Sequence, residues 1–154
     1  MPHATRTKVY EDDAGWAQIT REAPHLVVTK VRGVARVPMV ETYLREVVEI
    51  CAEAKVRVDV FHDWSEVKSI EPDARALFLK RSEERREANA RVFRGMHVAV
   101  TSRLVYVALE VASVLYRRTL HVYRNMPEWE AALATARSSA VREPVGAPGR
   151  DRSP

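Results

Sequence analysis

The sequence predicts an α/β domain: a mixed sheet of four to five strands with helices mainly on one face. Three observations lead there. First, three short stretches alternate with period two: Val56, Val58 and Val60 against Arg57, Asp59 and Phe61; Val98 and Val100 against His97 and Ala99; Leu120 and Val122 against His121 and Tyr123. Neighbouring side chains on a strand point to opposite faces, so each stretch reads as a strand with one aliphatic face and one polar or aromatic face. Second, the stretches between them carry apolar residues at spacings of three and four, the mark of helices with one buried stripe. Third, a parallel sheet buried on both faces would show continuous apolar strands. The alternation argues for helices on one face. It leaves the face bearing Arg57, Asp59, His97, His121 and Tyr123 open to water, to the N-terminal segment or to a second subunit.

At 154 residues the chain suits one domain with a substantial core. Residues 1 to 8 read as a flexible arm and residues 9 to 137 as the domain. Asp12-Asp13-Ala14-Gly15 is a turn signal, followed by a strand at Trp16–Thr20. A second strand, His25–Val31, is rich in β-branched residues and ends at Gly33, and with Pro24 between them the two suit an antiparallel pair. From Pro38 the period changes: Val40, Tyr43, Leu44, Val47, Val48, Cys51 and Ala54 form one stripe, with Glu41, Arg45, Glu46, Glu49 and Glu53 on the other side. The strand at Val56–Phe61 leads into a charged loop, and a helix opens at Pro72, whose missing amide suits a first helical turn. Beyond Arg81 that helix has almost no apolar residue and is expected to be solvent-exposed. After the strand at Met96–Thr101, Leu104–Tyr116 is apolar nearly all round and reads as a central or interface helix. A last helix starts at Met126-Pro127-Glu128 with Trp129, Ala132 and Leu133 facing in. Residues 138 to 154, rich in Arg, Pro, Gly and Ser, are expected to be a disordered tail.

Composition narrows the function classes. A content of 46% hydrophobic and 30% charged residues is that of a soluble globular chain. The net charge of +4 invites nucleic acid as a partner, yet the cations alternate with acids, as in Lys80-Arg81-Ser82-Glu83-Glu84-Arg85-Arg86-Glu87. That pattern reads as a solvated mixed-charge surface, and no nucleic-acid partner is expected. Cys51 is the only cysteine, so an intrachain disulfide is excluded and the thiol reads as an inert core group. No apolar run has signal-peptide or membrane-span length, which predicts a cytoplasmic protein without membrane insertion.

No catalytic signature emerges. His62 and Asp63 are adjacent at a strand end, where ligands gather in open sheets, with Ser65 and Ser69 near. Adjacent strand residues point to opposite faces, however, so they do not build one site. His97, His121 and Asp59 are the best metal-ligand candidates, but no tight ligand spacing accompanies them. No glycine-rich nucleotide motif occurs, and no cofactor or metal is expected. Trp64, beside Asp63 in the expected loop, has the composition of an interface anchor, or of a lid folded over the following helix.

The order of elements, together with Asp63-Trp64-Ser65-Glu66-Val67 followed by Ile70-Glu71-Pro72-Asp73-Ala74, resembles the STAS domain of anti-sigma factor antagonists. It is closest to the divergent bacterial branch described as SpoIIAA-like or STAS/SEC14-like. The resemblance spans about residues 26 to 137. It implies a regulatory domain whose serine at the start of this helix is phosphorylated by a partner kinase; a homodimer is expected separately, through the open sheet face or the apolar helix at Leu104–Tyr116. Here Pro72 stands at that position, Asp73 replaces a second serine and Ala74 a glycine, so this site cannot accept phosphate.

Two functions follow as expectations. One is a non-enzymatic interaction module in a bacterial regulatory pathway, contacting a protein partner through Trp64, Ser65, Glu66, Lys68, Ser69, Glu71, Asp73 and Arg75. The other, from the SEC14-like part of the resemblance, is a domain binding a small apolar ligand or lipid between the apolar helix and the sheet, lined by Leu104, Val107, Leu109 and Val111.

Overall fold

A computed structural model describes residues 5–101, 120–139 and 144–145. Six strands form one sheet in chain order: β1 (Arg6–Glu11), β2 (Gly15–Ala23), β3 (Leu26–Ala35), β4 (Val58–Ile70), β5 (Phe93–Ala99) and β6 (Leu120–Tyr123). The first three pair antiparallel, and β3 to β6 run parallel. Helix α1 (Val37–Glu53) crosses from β3 to β4, α2 (Pro72–Glu84) and α3 (Arg86–Val92) cross from β4 to β5, and α4 (Met126–Ser138) follows β6. This is the expected mixed α/β architecture, with six strands in place of four to five.

The additional strand is β1, which begins inside the stretch read as a flexible arm. Its cations meet the acids of α1. Arg6 bonds Glu49 at 2.6 Å, Lys8 bonds Glu46 at 2.5 Å, and Arg21 on β2 bonds Glu53 at 2.6 Å. Glu46, assigned to the polar side of its helix, is therefore only 5% exposed. The β1–β2 turn is closed by Asp12, whose carboxylate accepts from the Ala14 and Gly15 amides at 2.8 and 2.7 Å, bonds that lower its pKa.

Strand β3 does not stop at Gly33 but continues to Ala35. Gly33 has φ +77°, and a Cβ there would lie 2.4 Å from the Ala14 carbonyl oxygen, so the strand passes this point only as glycine. Strand β4 is also longer than expected. Trp64 to Ile70, read as a charged loop, are strand residues paired with β3. Lys30 pairs Asp63 while Arg32 pairs Glu66, and Gly33 pairs Val67 while Val34 pairs Ser69. Each step inserts one extra residue into β4, a bulge that changes which face the following side chains reach. Pairing of β4 with β5 ends at Asp63 and Ala99, so the second half of β4 runs past its neighbour.

Two cores result. On the α1 side, Ile19, Val27, Val58 and Val60 of the sheet meet Val47 and Ile50. On the other side, Leu26, Phe61 and Ala99 meet Trp129 and Leu133 of α4. The face expected to be open is thus partly covered, because Leu26, Phe61 and Ala99 make an apolar patch for α4. Asp59 on that face is 6% exposed, whereas His121 remains exposed.

Helix α4 includes Ser138, and the Val145 amide donates to the Lys55 carbonyl at 3.3 Å, so these two tail residues belong to ordered contacts. The apolar segment Leu104–Tyr116, with Leu104, Val107, Leu109 and Val111, lies outside the described residues. Among the described residues no helix is long and apolar enough to cross a membrane.

Candidate functional site

The α1-facing side of the sheet is lined by small residues toward its β1–β3 end. Ala17 on β2 and Ala35 on β3 are buried there beside Met39 of α1. Across from them, the two bulges bring Trp64, Val67 and Ile70 of β4 to the same side at a spacing of three. Helix α2 rests on α1 and has only Ala74 fully buried, so it does not descend into the space above the alanines. What remains is a cavity of about 200 Å³, walled by the sheet, by Met39, Val40 and Tyr43 of α1, and by Phe78 and Leu79 of α2. Leu79 is 47% exposed and marks the rim.

Apolar pockets carrying a few placed polar groups are the usual form of small-molecule sites. The volume is below the roughly 300–1,000 Å³ of drug-sized ligand pockets, which favours a compact occupant.

The placed polar groups are few. Thr29 and Tyr43 line the cavity and meet at His62 just behind it. The Thr29 hydroxyl lies 2.6 Å from His62 Nδ1, and the Tyr43 hydroxyl 3.4 Å from Nε2. His62 is 1% exposed, and burial, helped by the nearby His97, lowers its pKa to about 3. Burial likewise pushes the Tyr43 phenol up. At neutral pH all three groups are uncharged, so the wall offers hydroxyls without charge. Trp64 completes it, its ring 5.4 Å from that of His62.

Two cations reach the cavity. Lys8 is bonded to the buried Glu46. Arg75, exposed on α2, lines the rim.

The eight residues expected to form one contact surface are divided. Trp64 is half-buried and lines the cavity. Ser65 turns to the opposite side and donates to Asp63 at 2.5 Å. Glu66 pairs with Arg32, and Glu71 bonds Arg36 at 3.2 Å. Lys68, Ser69 and Asp73 are exposed, Pro72 opens α2, and Arg75 joins Trp64 at the cavity. His62 and Asp63 face opposite sides as expected; Asp63 lies 3.4 Å from Lys30 and has no part in the cavity. His97 and His121 do meet across β5 and β6, stacked at 4.7 Å, but His97 Nδ1 bonds the Tyr123 hydroxyl at 2.9 Å and Asp59 is held by Arg94. Among the described residues no three metal-capable side chains cluster. Cys51 is half-buried, with its thiol 3.6 Å from Asn89 Oδ1 and its pKa raised by burial.

No protein-family model matches the sequence, and no curated protein matches it. Solved structures do match. An uncharacterised protein from the DUF3478 family with a SpoIIAA-like fold, from Shewanella loihica PV-4, superposes with a TM-score of 0.56 at 13% identity, over 86% of this chain and 96% of that one. An anti-sigma factor antagonist from Mycobacterium paratuberculosis superposes with a TM-score of 0.48 at 14% identity, over 87% of this chain and 97% of that one. The first similarity shows that the chain has the SpoIIAA-like fold that its residue pattern resembles.

Proposed function

We propose that this SpoIIAA-like domain is a non-enzymatic binding module that holds a small apolar molecule between α1, α2 and the sheet. The observation that carries this reading is the 200 Å³ cavity, walled by aliphatic and aromatic side chains and edged by the neutral Thr29–His62–Tyr43 group. It keeps the small-ligand alternative drawn from the sequence, with α1, α2 and the sheet as the walls. Apart from Lys8, which is paired with Glu46, and Arg75 at the rim, the lining is uncharged, which favours an apolar body, and the hydroxyls allow one hydrogen bond to it. The test is titration of the full chain with the neutral fluorophore N-phenyl-1-naphthylamine, whose emission rises in a dry apolar site. Saturable one-to-one enhancement supports the reading; no enhancement, including the case in which the chain's own residues fill the space, contradicts it.

A second reading, a protein-interaction module, is supported by the second half of β4. Among the described residues its strand pairing past Asp63 is with β3, Thr101 Oγ1 donates to the Ser65 carbonyl at 2.7 Å, and Lys68, Ser69 and Asp73 are exposed beside it. A sheet edge can accept an added strand from a partner. In a pull-down, Lys68→Glu with Asp73→Lys is expected to lose partner recovery without a change in melting temperature; unchanged recovery contradicts this second reading.

A further inference from the structure

The cavity has a charge asymmetry that points to the head group of its occupant. Lys8 is compensated by Glu46, which is buried against it at 2.5 Å. Arg75, by contrast, makes no side-chain hydrogen bond or ion pair among the described residues. Glu71, the acid preceding α2, is held by Arg36 at 3.2 Å, and Asp73 stands two positions from Arg75, where helical side chains do not face each other. One guanidinium therefore stands uncompensated at the rim of an otherwise apolar chamber, within reach of solvent.

Resting on the reading of the cavity as a ligand site, we infer that the ligand is a monoanionic amphiphile, an apolar carboxylate. Its chain lies among Trp64, Val67 and Phe78, and its carboxylate stands at the rim on Arg75. A single uncompensated cation matches one negative charge and not the two of a phosphate monoester, and the planar fork of guanidinium fits a carboxylate bidentately. Keeping the head group at the rim avoids burying charge, which would cost far more than the pair returns. The neutral His62 wall is consistent with this polarity, since it offers the carboxylate no cation inside.

The test displaces N-phenyl-1-naphthylamine from the full chain with octanoate or with 1-octanol, in the wild type, Arg75→Gln and Arg75→Lys. Arg75→Gln is expected to weaken octanoate about two- to fivefold, the range for an exposed ion pair, and to leave the fluorophore and 1-octanol unchanged. Arg75→Lys is expected to recover part of the loss. Octanoate binding equally well to the wild type and Arg75→Gln, or both competitors weakened alike, would overturn the assignment of the head group while the cavity reading stands. Failure of the fluorophore to bind removes both.

Discussion

Thr29 and His62 sit directly opposite each other on the parallel strands β3 and β4, and their side chains meet at 2.6 Å between Oγ1 and Nδ1. The pair ties the floor of the cavity to its wall, and burial keeps the imidazole neutral. His62 has its pKa lowered to about 3 by burial, against about 6.5 in an unfolded chain. The unfolded state therefore takes up the proton first. Stability from this group is complete above about pH 6.5 and is lost progressively as pH falls toward 3, by up to about 1.4 kcal/mol per pH unit. His97, lowered to about 4 by burial and by His121, adds in the same direction. Urea midpoints are expected to fall between pH 7 and pH 5, and to fall less in His62→Asn, which keeps a polar atom near Thr29 but cannot titrate. Equal falls in both proteins contradict the assignment.

Gly33 and Gly15 are paired across β2 and β3, and the positive φ of Gly33 lets the strand pass the Ala14 carbonyl. Gly33→Ala meets both the strained backbone and the 2.4 Å approach, and is expected to cost about 1–3 kcal/mol in chemical denaturation.

The Lys8–Glu46 pair joins the edge strand to α1 with the acid buried. Lys8→Met leaves Glu46, among the described residues, with only Arg6, 4.0 Å away, and is expected to destabilise by about 1–3 kcal/mol. Adding Glu46→Met removes the uncompensated charge and is expected to restore much of the loss. A double-mutant cycle with no coupling between the two positions contradicts this.

Much of this arrangement is legible in the residues, and the exceptions have physical causes. Period two marks the first half of β4, β5 and β6, because each has faces of different chemistry, while β2 is placed by the turn signal before it and β3 by its β-branched residues. The second half of β4 escaped because its bulges turn period two into period three: Trp64, Val67 and Ile70 look helical or irregular in one dimension and share a wall in three. The edge strand β1 escaped because its order depends on Glu46 and Glu49, some forty residues away in sequence. The cavity left no signal of its own. Ala17, Ala35 and Met39 are ordinary core residues, and the empty space comes from α2 resting on α1 above them, which no local spacing encodes. Trp64 stands out as unusual from its neighbours alone; in the structure its ring lies 5.4 Å from that of His62 and lines the cavity.

Filling the space separates ligand binding from stability. Ala17→Leu adds three carbon atoms at the cavity floor and is expected to hold or raise the melting temperature, since it replaces void with contacts. The same substitution is expected to abolish fluorophore binding. A stable Ala17→Leu protein that still binds with full affinity places the ligand elsewhere.

The central claim is that this cavity is the ligand site, and isotope-filtered nuclear Overhauser spectroscopy of bound 1-octanol tests it most directly. The expected result is a set of cross-peaks from the octanol chain to the Trp64 indole, the Val67 methyls and the Phe78 ring. Cross-peaks confined to exposed side chains such as Val9 and Val48, or none at saturating octanol, would contradict it.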